Sequence, residues 1–153
     1  MSVYYFSERG QKVPPIHRLV VRRWIREVVH RWGRDLGTIS YLFTNDEGIL
    51  ETNRQYLDHD YYTDIITFNT QVDEQDDRVF GDIVISLDTI RSNAEKFATE
   101  YAEELHRVLI HGILHLVGLD DHTEEEEKAM RKAEDDALAL LKNLLNGTSL
   151  LRN

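Results

Sequence analysis

The chain has 153 residues, a length that suits one domain around one core, taken as residues 1–153. With 41% hydrophobic and 30% charged residues it is not a disordered chain, and no apolar run approaches the roughly 18 residues needed to span a bilayer. The absence of cysteine excludes disulfides and thiolate metal sites, and a formal net charge of −10 argues at first against nucleic acid as a partner.

The first fifteen residues, MSVYYFSERGQKVPP, lack the basic-then-apolar order of a secretory signal, so a cytoplasmic location is expected. Residues 2–6, rich in aromatic and β-branched types, predict a short strand. Pro15 then opens a helix, along which Ile16, Leu19, Val20, Ile25, Val28, Val29 and Trp32 recur at helical spacing. Strands are predicted at 38–43, 64–70 and 80–87, and a short helix at 45–57. Asp88 is expected to cap a helix running to about Ala98, and another helix runs from about Thr99 to Val117, where Gly118 stops it. Thr123 and Glu126 form a capping-box pattern for a last helix that continues to about Leu145. Strands and helices do not alternate regularly, so the expected class is α+β: about four strands packed with about five helices.

Charge is distributed unevenly. Residues 9–34 carry eight basic residues against Glu27 alone, a net +7 that leaves −17 for the rest of the chain. Arg18, Arg22 and Arg26 lie four apart on one predicted helix face. That face can either meet a polyanion or simply be solvated.

The segment LIHGILHLVGLDDH, residues 109–122, places three histidines in an otherwise apolar stretch. His111 and His115 are one helical turn apart, so both imidazoles can converge on one ion. Gly118 lets the chain turn and bring His122 back. Three nitrogens with one open position suit a catalytic divalent ion, zinc above all, with the Asp120-Asp121 pair available to fix an imidazole tautomer. Helical zinc proteases carry Glu after the first histidine; here that position is Gly112, which removes the proton acceptor of a peptidase and points to a close approach of another element. His17, His30 and His106 read as surface or core residues, and His59 lies in a polar loop that can approach the site.

HGILHLVGLDDH resembles the His-Gly-x-Leu-His-Leu-x-Gly-Tyr-Asp-His signature of the YbeY family of bacterial metal-dependent endoribonucleases. NRQYLDHDYYTDIITF at 53–68, GDIVIS at 81–86 and EEEEKAM at 124–130 fit further family segments in the same order. The resemblance implies a zincin-like fold, a three-histidine metal site including His111 and His115, and cleavage of single-stranded RNA in 16S rRNA 3′-end maturation and ribosome quality control. Five residues separate the second and third family histidines, whereas six separate His115 from His122, so Asp121 holds the aligned position. His122 is favoured as third ligand through a one-residue bulge, with Asp121 as the alternative. The family's phosphate-handling Arg is Leu57 here, which leaves Arg54, one turn earlier, as the candidate replacement.

The expected function is therefore a metal-dependent endoribonuclease with ribosomal partners. The rivals are a zinc metallopeptidase or amidase, and a ribosome-assembly factor whose metal is structural.

Overall fold

A computed structural model describes residues 2–57 and 64–153. Its elements run β1 (Ser2–Ser7), α1 (Arg18–Arg31), β2 (Asp35–Thr44), α2 (Asp46–Leu57), β3 (Ile65–Asn69), β4 (Arg78–Ser86), α3 (Leu87–Lys96), α4 (Tyr101–Leu116) and α5 (Glu124–Leu145). The expected α+β class is what the chain adopts, with four strands and five helices among the described residues.

The sheet order is β1-β2-β4-β3, with the first two pairings parallel and β3 antiparallel to β4 at the edge. Alternation along each strand sorts the two faces. Ile39, Tyr41 and Phe43 of β2 and Ile83 and Ile85 of β4 face the main core, with α1, α4 and α5 side chains. Ile66 of β3 and Val84 of β4 face the other way, against Ile49 of α2. Helix α2 thus occupies one side of the sheet and α4 the other. Two hydrogen bonds lock the larger layer: Trp24 Nε1–H donates to the Ala137 carbonyl at 2.6 Å, and the Tyr41 hydroxyl donates to the Leu109 carbonyl at 2.8 Å.

Two helix starts differ from expectation. Helix α1 begins at Arg18 rather than Pro15, because Ile16 is drawn into a β-bridge with Leu151 near the C-terminus. Helix α3 is capped by Ser86, whose Oγ accepts from the Thr89 N–H, while Asp88 sits in the first turn and accepts from the Asp46 N–H. The capping box at the start of α5 forms as expected, between Thr123 and Glu126.

His106 lies in the core at 0% exposure beside Trp24, with Nδ1–H donating to the Ala102 carbonyl at 2.7 Å. Nε2 has no hydrogen-bond partner among the described residues. Burial lowers the pKa of this ring, the Ala102 hydrogen bond opposes that shift, and His17 adds to it. The unfolded chain takes up this proton near pH 6.5, at about the ordinary histidine value, before the folded chain does. The folded state is therefore favoured fully above about pH 6.5 and loses stability as the pH falls towards the depressed folded pKa. Urea unfolding of His106→Phe is expected to show a smaller loss of midpoint between pH 6.5 and 5 than the unmodified chain; equal losses would remove this ring from the acid response.

Candidate metal centre

The site is built on the last two turns of α4. His111 and His115 project from one helix face with ring centroids 4.5 Å apart, and their Nε2 atoms lie 3.0 Å from each other. Helix α4 then stops in a tight left-handed cap: the Gly118 N–H bonds to the His115 carbonyl and the Leu119 N–H to the Leu114 carbonyl, both at 3.0 Å. Gly118 takes a φ of +112°, a region that side-chain-bearing residues rarely enter. This closed turn directs Asp121 inward. Its Oδ2 lies 3.4 Å from Nε2 of both histidines.

Those three separations test whether the donors fit an ion. Ligand atoms bound at 2.0–2.1 Å around a tetrahedral centre lie about 3.3–3.4 Å apart. The observed 3.0, 3.4 and 3.4 Å are close to that triangle. The protonation pattern agrees with it. Nδ1 of His115 lies 2.9 Å from the Leu119 carbonyl, which can only accept, so Nδ1 carries the proton and Nε2 keeps its lone pair. Nδ1 of His111 lies 2.6 Å from Glu134 Oε2 with the same result. Two imidazole lone pairs and a carboxylate oxygen then face one another, an arrangement that a cation relieves. Among the described residues, His111, His115 and Asp121 are the group that can hold a metal ion.

His122 lines the same cavity of about 300 Å³, together with Asp64, Thr67 and Asp120, but its side chain is exposed and stands outside the ligand triangle. The cap closes at Gly118 and Leu119, and in the turn beyond it Asp121 is the residue whose side chain reaches the two histidines. Arg54 is on α2, on the far side of the sheet, and does not line this cavity. His59 lies outside the described residues. Arg18, Arg22 and Arg26 are exposed on α1, and Arg18 also stacks on Tyr5 at 5.0 Å.

Glu134 is the residue that sequence reading missed. It is 5% exposed on α5 and holds His111 through Oε2, while Oε1 accepts from Arg107 Nη1 at 2.9 Å. Arg107 continues to Asp135 at 2.8 Å. Burial disfavours the charged form of His111, but the Glu134 hydrogen bond and charge, with Asp64 and Asp121 behind, outweigh it and raise the pKa. The field that favours a proton here also favours a metal ion. A signal was present: Met130, Glu134, Ala137, Leu138 and Leu141 share the spacing of the buried stripe of α5, and a carboxylate at a core position needs a partner.

Gly112 serves packing. A Cβ there would come within 3.0–3.1 Å of Ile83 and Ile65, so the missing side chain lets α4 lie close on the sheet. A larger cavity, about 810 Å³, lies under α2 on the opposite face and contains neither histidine. Volume alone does not locate this chemistry. No helix of the described residues is long and apolar enough to cross a membrane.

The family model described as Endoribonuclease YbeY matches residues 7–142. A relative named Endoribonuclease YbeY from Porphyromonas gingivalis is 50% identical over 145 residues, covering 95% of this chain and 94% of the relative. One of the same name from Bacteroides thetaiotaomicron is 54% identical over 140 residues, covering 92% and 99%. A solution structure from Thermotoga maritima superposes with a TM-score of 0.60 at 23% identity, over 95% of this chain and 90% of that one, a likeness of fold.

Proposed function

Because the chain belongs to the YbeY family of endoribonucleases, we propose that it cuts single-stranded RNA by metal-dependent phosphodiester hydrolysis. The observation that carries the metal dependence is the triangle of His111 Nε2, His115 Nε2 and Asp121 Oδ2. Asp121, not His122, is the third ligand in this proposal. Zinc is the proposed ion, since two imidazoles and one carboxylate at these separations suit it. When bound, such an ion supplies a Lewis acid for the phosphoryl oxygen and a water of lowered pKa.

The remaining work falls to the protein's own groups. Glu134 and the Leu119 carbonyl hold both Nδ1 protons and so keep the Nε2 lone pairs aimed inward. Asp64 and Asp120 line the cavity and can accept protons from an attacking hydroxyl. With Arg54 on the far side of the sheet, the phosphate's charge is met by the ion and by cations nearer the site, among which Arg131 lines the adjoining cavity. The biological reading follows the resemblance: 16S rRNA 3′-end maturation and ribosome quality control, in the cytoplasm, with the ribosome as partner.

The test is cleavage of single-stranded RNA by purified protein, with and without zinc after chelation. Cleavage that returns only with metal is expected; undiminished cleavage by metal-free protein would overturn the proposal. Product ends separate the nucleophiles, since a 2′,3′-cyclic phosphate reports attack by the ribose hydroxyl.

The exposed Arg18, Arg22 and Arg26 are proposed to hold RNA phosphates at a distance from the metal. Replacing all three with alanine is expected to weaken RNA binding across sequences. It should also flatten the plot of log affinity against log salt by about 0.7 per lost phosphate contact on a single strand. An unchanged salt slope, measured by anisotropy, would leave that face as a solvated surface.

A further inference from the structure

A second cavity of about 390 Å³ adjoins the metal centre and shares Asp64 and His111 with it. Its volume lies within the range of about 300–1,000 Å³ usual for small-molecule sites. Phe97 lines it and is 60% exposed, so its ring is open to a ligand arriving from solvent. The backbone beneath the ring is fixed: Phe97 caps α3, and the next residue, Ala98, takes a left-handed φ of 53°. The Ala98 N–H bonds to the Glu95 carbonyl and the Thr99 N–H to the Ala94 carbonyl, closing the turn. A left-handed residue past the last turn is a common helix ending, and it satisfies the final carbonyls of α3.

The polar lining suits a nucleobase and its phosphate. The Asn93 side-chain amide and the Arg131 guanidinium make no hydrogen bond or ion pair among the described residues, and both line the cavity. Lys96 brings a second cation, with Nζ 5.4 Å from the Phe97 ring centroid. Glu104 accepts from the Thr99 hydroxyl at 3.0 Å through Oε1 and leaves its other oxygen to accept from an exocyclic amine. An aromatic face, an amide with both donor and acceptor, and an unpaired guanidinium in one cavity are the parts with which proteins hold an unpaired base.

We propose that this cavity is a nucleobase subsite. The base of a nucleotide flanking the scissile phosphate stacks on Phe97, the Asn93 amide hydrogen-bonds its edge, and Arg131 takes a neighbouring phosphate. The assignment rests on the endoribonuclease reading above, and its test separates the two.

The probe is a fluorescent 2′-O-methyl RNA pentanucleotide, intact or with one abasic position in turn, titrated into the zinc-loaded full chain and checked for integrity on a gel. Phe97→Ala is expected to weaken the intact probe at least about fivefold, the low end for loss of one base–aromatic stack. Phe97→Tyr should bind as the unmodified chain does. One abasic position should cost the unmodified chain a similar factor and cost Phe97→Ala nothing further, the signature of coupled partners. Phe97 is exposed, so a native melting curve is expected for both variants. Unaltered binding by Phe97→Ala, or an abasic penalty of equal size in both proteins, would overturn the subsite. Cleavage of the unmodified pentanucleotide, read separately, bears on the nuclease reading alone.

Discussion

Asp121→Ala is expected to lose its metal, while His122→Ala keeps one ion per chain. The Asp121 carboxylate is 3.4 Å from both Nε2 atoms, whereas His122 is exposed outside the triangle. Changing a residue that merely supports a metal ligand lowers affinity about 10- to 100-fold, so removing a ligand should exceed about 100-fold. Under excess zinc, a 100-fold weaker site forfeits about 2.7 kcal/mol of metal-linked stabilisation. Asp121→Ala should therefore show a much smaller rise of melting temperature on zinc addition, and RNA cleavage should fall with occupancy. Elemental analysis of the purified proteins checks the first point and a melting series the second. Metal retained by Asp121→Ala and lost by His122→Ala would make His122 the ligand and require the loop after Gly118 to rearrange on binding.

Glu134→Gln keeps the size and shape of the side chain but breaks its hydrogen-bond arithmetic. The carboxylate accepts twice, from His111 Nδ1–H and from Arg107. An amide offers one acceptor and one donor, so one partner must face the NH₂ group. If Arg107 does, a cation with 13% side-chain exposure loses a hydrogen bond, although Asp135 still holds its other nitrogen. If His111 does, its proton moves to Nε2 and the ring can no longer ligate. The first outcome leaves donors facing each other in a buried place, at a cost of about 1–3 kcal/mol; the second satisfies every group but lowers zinc affinity about 10- to 100-fold. We expect the affinity loss, because Arg107 has no neutral form to adopt. A zinc titration against a competing chelator reads it, and histidine NMR reports the tautomer directly. Native zinc affinity in Glu134→Gln would reduce Glu134 to a structural partner of Arg107.

Position Gly112 shows how a motif position can announce a close approach without naming the neighbour. The missing glutamate is plain in the residues, but the reason for glycine is the contact with Ile83 and Ile65. Arg54 shows the reverse. It precedes Leu57 by one helical turn, which made it a plausible phosphate contact, yet α2 packs across the sheet from α4.

What the sequence by itself determined is what depends on neighbours within a few residues. The pairing of His111 with His115 follows from the pitch of a helix, the stop at Gly118 from its backbone freedom, and the start of α5 from the Thr123–Glu126 box. Four strands and five helices were legible for the same reason, since side-chain periodicity is a local property. The tertiary structure decided the order β1-β2-β4-β3, the approach of Asp121 to both histidines, and the meeting of Glu134 with His111 across 23 residues of chain. Those depend on how α5 and the edge strand pack against α4. Packing is set by the summed burial of many side chains, which no short stretch of residues contains.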